Sequence, residues 1–109
     1  MFLEVGPVSL VVNGEKKGVP YDFDRSKLEE KIRNILEDIT EYLPVLKQKA
    51  YKIKNTKHLP AVPKIMVEAV KSIDEISLTP MAAVAGCVSD ALKEYFKREG
   101  LDIFSVNNG

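Results

Sequence analysis

The chain has 109 residues, 45% of them hydrophobic, which provides a core for one small domain spanning residues 1–109 and argues against disorder. Sixteen basic residues balance sixteen acidic ones, so charge does not favour a nucleic-acid or membrane partner. Cys87 and His58 are the only residues of their types, which excludes an intrachain disulfide and a Cys/His zinc site.

The N-terminal sequence MFLEVGPVSL lacks the basic start and apolar length of a secretory signal. No apolar run is long enough to span a bilayer. We therefore expect a cytoplasmic protein in a reducing environment.

The first predicted elements are strands. FLEV and VSLVV are short apolar runs separated by Gly6-Pro7, which predicts two strands or one strand with a break. The following NGEKKG is predicted as a loop.

A clear helix follows. Ser26 and Glu29 have capping-box spacing, which makes Ser26 the predicted N-cap. Pro44 is predicted to end or kink the helix. Its buried stripe is predicted to contain Leu28, Ile32, Ile35, Leu36, Ile39 and Leu43.

Residues 45–63 are basic and poorly periodic, and we interpret them mainly as a connection with at most a short helical turn. The stretch KQKAYKIKNTKH has the composition of an exposed loop, with contact to an anionic ligand or RNA as the alternative. A second helix is predicted with Pro63 in its first turn and with a buried face of Met66, Ala69, Val70 and Ile73.

The third helix begins in LTPMAAVAGCVSDALKEYF, with Thr79 as N-cap, Pro80 in the first position and Gly100 just past the end. Its predicted apolar stripe comprises Met81, Val84, Val88, Leu92 and Tyr95, and its small-residue face comprises Ala82, Gly86 and Ser89. Small side chains allow either close packing or an anion seat at the free N–H groups of the first turn. Packing is the commoner use.

The chain finishes with LDIFSV, predicted as a strand buried on both faces, and NNG, predicted as a turn. Strands, helices and a strand make an α+β class, with about three helices on one sheet. Because the final strand would need neighbours on each side, we expect another chain or a C-terminal half to complete the fold.

TPMAAVAGCVSDAL followed by DIFSVNNG resembles the uncharacterised ApbE-like family, whose members carry Gly-Pro-Met-Ala-Ala-Val-Ala-Gly and a strand ending in Glu-Asn-Gly-Gly-Asp. The resemblance covers most of this chain and about the first half of a typical member. Leu78-Thr79 stands where the family has Val-Gly, and Asn107 stands where it has Glu.

The resemblance implies an ApbE-like layered half-domain, related to proteins that bind flavin and transfer FMN with a divalent metal. FMN, FAD or a divalent metal are thus the cofactors it suggests. By position, the helix start and the final loop would form a ligand site from Thr79, Pro80, Met81, Ala82, Asn107, Asn108 and Gly109.

Two function hypotheses follow. In the first, the chain is a subunit or N-terminal portion of an ApbE-like enzyme that binds a small anion or flavin phosphate, and a partner portion supplies the catalytic groups. In the second, it is a non-catalytic subunit that docks a partner through the alanine-rich helix and the last strand. No catalytic residue or metal ligand is predicted. We expect His58 to be a solvated loop residue, Cys87 to be an inert buried thiol, and Asp90 to lie on an exposed helix face.

Overall fold

The computed structural model describes residues 1–108 and has an α+β architecture, as the sequence predicts. Four antiparallel strands form one open sheet, accompanied by four α-helices. The elements are β1 Phe2–Val5, β2 Val8–Lys16, β3 Val19–Pro20, α1 Arg25–Glu41, α2 Leu43–Leu46, α3 Ala61–Asp74, α4 Val84–Arg98 and β4 Ile103–Asn108, with 3-10 turns at Ala50–Lys52 and Pro80–Ala83.

The chain comprises two compact units. The first contains Met1–Arg33 and the described residues from Val88 onward, and the second contains Asn34–Cys87. The sheet lies in the first unit, whereas α2, α3 and both 3-10 turns lie in the second. A single domain over residues 1–109 stays a prediction.

Strand β2 is the centre of the sheet. Leu10 is paired with Leu3 of β1 on one side and with Asn108 of β4 on the other. Strand β3 pairs with Glu15 and Lys16, the last two residues of β2. Glu15 also pairs with Ile103 of β4, on its other side. Strands β1 and β3 therefore share one edge of β2, and β4 occupies the other.

Only Lys17 and Gly18 of the NGEKKG segment form a turn, so the loop prediction is wrong for its first four residues. Strand β2 continues to Lys16, and the chain turns at Lys17 and Gly18, whose φ angles are 54° and 76°. Gly14 lies within the strand, where an added Cβ would stand 2.5 Å from Leu101 Cδ2. The glycine that suggested a turn instead allows close packing inside the sheet.

Helix α1 has a different cap from the one predicted. Asp24 accepts a hydrogen bond from the backbone N–H of Lys27 at 3.2 Å, and its carbonyl accepts the N–H of Leu28 at 3.1 Å. The helix therefore begins at Arg25, with Asp24 rather than Ser26 as the cap. It ends at Glu41, before Pro44, as predicted.

The sheet buries one face. The hydrophobic core of the first unit consists of Leu3, Val5, Leu10, Val12, Leu28, Ile32, Val88, Leu92, Phe96, Leu101 and Val106. On β4, Val106 is buried while Ile103 is 63% exposed. The prediction that this strand is buried on both faces is therefore wrong, because its alternate residues Ile103, Ser105 and Asn107 face solvent.

The connection in the second unit is held in place by backbone hydrogen bonds. The N–H of Ala50 donates to the carbonyl of Leu78 at 3.0 Å, and the N–H of Tyr51 donates to that of Glu75 at 2.9 Å. The Lys71 ammonium also donates to the carbonyl of Ile53. A segment that looks irregular in sequence thus has a fixed path, which includes the predicted short helical turn.

Helix α3 starts at Ala61 and places Pro63 in its first turn. Met66 and Val70 are buried as predicted, but Ile73 is 78% exposed, which corrects the predicted stripe. The helix ends at Asp74, so Ile73 lies in its last turn and beyond the buried part of the face. The core of the second unit is formed by Ile35, Ile39, Leu46, Ala50, Ile53, Leu59, Val62, Met66, Val67, Val70 and Cys87.

The last helical segment combines two geometries. A 3-10 turn over Pro80–Ala83 leads directly into α4, and Gly100 ends the helix with a φ of 83°. The N–H groups of Gly100 and Leu101 bond back to the carbonyls of Lys97 and Phe96, as in a Schellman motif. Phe96, rather than the predicted Tyr95, is the fully buried ring of this helix.

Candidate functional site

The corner formed by Thr79–Ala82 starts the last helical segment where the sequence predicts it. Thr79 is the N-cap residue, with φ −95° and ψ 158°, and Pro80 follows. Pro80 is buried, Thr79 and Met81 are half-buried, and Ala82 is exposed. The 3-10 turn packs against α3 within the second unit.

The 3-10 geometry reduces the number of amide donors at this corner. Pro80 has no N–H, and the N–H of Ala82 already donates to the carbonyl of Thr79 at 3.0 Å. In the first turn of an α-helix, the N–H of the residue at this position would have no intrahelical partner and could bind an anion. The Thr79 hydroxyl makes no capping hydrogen bond. An anion at this corner would therefore meet the Met81 amide and the Thr79 hydroxyl rather than a row of amides.

The small-residue face does not pack closely at Gly86, contrary to the sequence expectation. Gly86 is exposed, and an added Cβ would meet no atom within 4 Å. Ser89, on the same predicted face, is buried. Glycine at position 86 is therefore not required by packing within residues 1–108.

The polar C-terminal residues form a strand and not a turn. Asn107 pairs with Val11 and Asn108 pairs with Leu10 at the end of β4. Sequence reasoning missed this because Asn-Asn-Gly is a common turn signal, whereas here the ladder with β2 extends the strand. Gly109 lies outside the described residues.

The predicted ligand site thus draws on both units. Thr79, Pro80, Met81 and Ala82 are consecutive in the second unit, and Asn107 and Asn108 belong to the first. A ligand site shared by the two groups stays a prediction.

The outer edge of β4 has no neighbouring strand among residues 1–108. Val12 exchanges hydrogen bonds with Met1, at 2.9 and 2.8 Å, so its backbone groups face β1. Because these groups alternate along a strand, Val11 and Asn13 face β4 and bond to Asn107 and Ser105.

The backbone groups of the β4 residues that alternate with Ser105 and Asn107 therefore point away from β2. The N–H and C=O groups of Phe104 and Val106 face outward, away from β2. Within residues 1–108, β4 pairs with β2 alone. This edge is a template for another extended strand.

An aromatic cavity in the first unit was not predicted. It has a volume of about 80 Å³ and is lined by rings and carboxyl groups, namely Tyr21, Asp22, Phe23, Asp24, Lys27, Leu28, Tyr95, Phe96 and Glu99. The Phe23 ring lies 5.1 Å from the centroids of both Tyr21 and Phe96. This volume is well below the roughly 300 Å³ of a typical small-molecule site, so the cavity does not accommodate a flavin.

Tyr95 is the polar group most affected by this environment. Burial raises the pKa of its hydroxyl, and the adjacent Glu99 raises it further. The hydroxyl therefore stays protonated at neutral pH and is a hydrogen-bond donor. The alternation Tyr21-Asp22-Phe23-Asp24 was the available sequence signal.

The remaining predictions concern single side chains. His58 and Asp90 are exposed and Cys87 is buried, as the sequence predicts. No three His, Cys, Asp or Glu side chains among residues 1–108 come together in a way that could hold a metal ion. None of the helices in this part of the chain combines the length and apolar character needed to cross a membrane.

Comparison with known proteins identifies a family. The sequence model of the family described as AbpE bacteria, a name similar to ApbE, matches residues 1–109. No curated protein and no solved structure matches the chain. Because the family match extends over the whole sequence, the chain belongs to the family described as AbpE bacteria.

Proposed function

We propose that the chain is a polypeptide-binding subunit that accepts an extended strand of a partner chain along β4. The observation that carries this proposal is the outward orientation of the N–H and C=O groups of Phe104 and Val106. An added strand would bond to these groups and make β4 an interior strand. The exposed Ile103 side chain would then gain an apolar neighbour.

Hydrogen exchange of the free chain and of an affinity-purified complex tests the proposal. In the free chain, the amides of Ser105 and Asn107 should be protected by β2, while those of Phe104 and Val106 exchange rapidly. In the complex, Phe104 and Val106 should become protected as well. Rapid exchange at these two amides in the complex would contradict strand addition.

A matched pair of substitutions separates the strand edge from the sheet face. Ile103→Lys places a charge on the edge strand, where lysine opposes strand addition, and should reduce partner recovery. Val11→Lys places the same charge on the exposed face of the central strand, where Val11 is 39% exposed, and should leave recovery largely intact. Equal loss in both variants would indicate face docking instead.

A second function is supported by the family name, which is similar to ApbE. In this proposal the chain is part of a flavin-related enzyme of the cytoplasm, and the Thr79 corner binds a flavin phosphate together with Asn107, Asn108 and Gly109. Two features support this proposal: the Thr79 hydroxyl makes no capping hydrogen bond, and the exposed Ala82 side chain is short. A partner portion would supply the catalytic groups and any divalent metal.

Titration with FMN and, separately, inorganic phosphate tests this second function. Ala82→Glu adds a negative charge at the corner and should weaken binding of both probes. Ala61→Glu adds the same charge at the exposed start of α3 and should have little effect. Absence of FMN binding, or equal loss in both variants, would rule out a phosphate seat at Thr79.

A further inference from the structure

Residues 42–67 concentrate positive charge, although the second unit as a whole has seven lysines and six acidic residues. Residues 42–67 contain six lysines and no acidic residue, namely Lys47, Lys49, Lys52, Lys54, Lys57 and Lys64. All six side chains are exposed, and none forms an ion pair within residues 1–108. The structure therefore presents a lysine-rich segment at its surface in a chain of zero net charge.

An open groove crosses this surface. It has a volume of about 570 Å³ and is lined by Lys49, Tyr51, Lys54, Glu75 and Ile76. The hydrogen bond from the Tyr51 amide to the Glu75 carbonyl, at 2.9 Å, joins its two sides. This bond fixes the backbone of Tyr51 against that of Glu75.

The groove also exposes apolar area. Ile76 is 72% exposed and Tyr51 is 41% exposed, and both line it. The exposed Ile73 lies three residues before Ile76. Large apolar side chains bordered by charges are typical of a protein-binding surface.

We propose that this groove binds an acidic polypeptide segment that also carries apolar side chains. Its carboxylates would pair with Lys54, which lines the groove, and with Lys52, whose ammonium group lies 5.9 Å from the centroid of the Tyr51 ring. An apolar side chain would cover Ile76. The groove belongs entirely to the second unit and uses no backbone group of β4, so this inference is independent of the proposed strand addition.

Charge placement favours a polypeptide over the other polyanions. Glu75 lines the groove, and a continuous anionic surface, as on a bilayer or a duplex, would meet its carboxylate. A peptide has discrete carboxylates that can face the lysines and avoid Glu75. Residues 34–87 also contain no arginine, the side chain best suited to phosphate.

Fluorescence anisotropy with a labelled peptide of repeated Glu-Glu-Leu-Gly units tests the inference. We expect binding that weakens with salt and falls about tenfold in Lys52→Glu/Lys54→Glu, because two favourable charge pairs become repulsive. These lysines are chosen because neither ammonium group donates a hydrogen bond within residues 1–108, unlike that of Lys49, which donates to the carbonyl of Ser77. Lys93→Glu/Lys97→Glu makes the same change in net charge on α4 and should alter the affinity less than twofold.

The apolar contribution is tested separately. Ile76→Ser should weaken binding of the leucine peptide several-fold but not that of a peptide with serine in place of leucine. The inference is overturned if the leucine peptide does not bind, or if the two double variants lose affinity equally. Tighter groove-dependent binding to vesicles containing phosphatidylserine, or to duplex DNA, would overturn it in favour of that partner.

Discussion

Gly14 and Gly86 show how the same residue type serves opposite situations. An added Cβ at Gly14 would lie 2.5 Å from Leu101 Cδ2 and 3.0 Å from Phe23 Cζ. An added Cβ at Gly86, on an exposed turn of α4, would contact nothing within 4 Å. The sequence suggested the reverse, with a loop glycine at position 14 and a packing glycine at position 86.

Alanine substitutions should separate these two glycines. Gly14→Ala should lower the free energy of unfolding by about 1–3 kcal/mol, because the new methyl group overpacks a buried region. Gly86→Ala should raise it by about 0.5–1 kcal/mol, because alanine restricts the unfolded chain and fits the helix. Urea denaturation of both variants measures the effects. A destabilising Gly86→Ala would mean that something does approach this helix face closely.

Asp74, at the end of α3, is a carboxyl group whose hydrogen bonds make the stability of the fold depend on pH in the acidic range. The N–H groups of Ser77 and Ile76 donate to its carboxylate at 3.0 and 3.2 Å. These bonds, led by that of Ser77, hold the pKa of Asp74 below its ordinary value of 3.8, and nearby Lys49 contributes in the same direction.

A carboxyl group with a depressed folded-state pKa stabilises the fold above its unfolded pKa and loses that contribution as the pH falls through its folded pKa. The stability of the wild-type chain should therefore decline below about pH 3.8. Asp74→Asn keeps an acceptor oxygen but does not titrate, so its stability should fall less steeply over that range. Thermal denaturation of both proteins across this range measures the difference, and parallel profiles would exclude a role for Asp74.

At the scale of elements, the sequence pattern and the structure differ most in the connection between α2 and α3. Its composition predicts an exposed loop, and its lysines are exposed. Its backbone is nevertheless fixed through Ala50 and Tyr51 and through the Lys71 ammonium, which reaches the carbonyl of Ile53. No local sequence pattern could indicate these bonds, because they join residues far apart in the chain.

Lys71→Met should loosen this connection. Methionine retains much of the apolar stem but leaves the Ile53 carbonyl without its donor, at a cost of about 1–3 kcal/mol in the free energy of unfolding. Limited trypsin digestion should then cut faster after Lys52 and Lys54. Lys64→Met, on the exposed side of α3, provides the control and should change neither measurement. Unchanged cleavage in Lys71→Met would show that the backbone bonds alone hold the segment.

At the scale of the whole molecule, net charge and charge distribution have different consequences. The sequence isoelectric point is about 6.6, so mutual repulsion is weakest near that pH. The six lysines of residues 42–67 are offset by an acidic excess elsewhere in the chain. Molecules can therefore attract one another through surfaces of opposite sign even when the net charge is zero.

We expect light scattering at pH 6.6 to show stronger attraction between molecules at about 0.01 M salt than at about 0.3 M salt, because salt screens these contacts. Lys52→Glu/Lys54→Glu should reduce the attraction more than Lys93→Glu/Lys97→Glu, although both change the net charge equally. Equal effects would mean that net charge alone governs the association.

The sequence by itself determined the α+β class, the approximate positions of the long helices, the start of the last helical segment at Thr79-Pro80 and its end at Gly100. These features depend on local periodicity, capping preferences and the special backbone freedom of glycine and proline, all of which act within a few residues. The family assignment likewise depends on sequence.

Only the tertiary structure decided that β2 passes through Gly14, that Asn107 and Asn108 belong to a strand, and that Gly86 faces open space. It also revealed the outward-facing edge of β4 and the groove beside Lys54. Strand pairing and burial depend on contacts between distant parts of the chain. One residue of register changes which side chains face the core, and local preferences do not encode that choice.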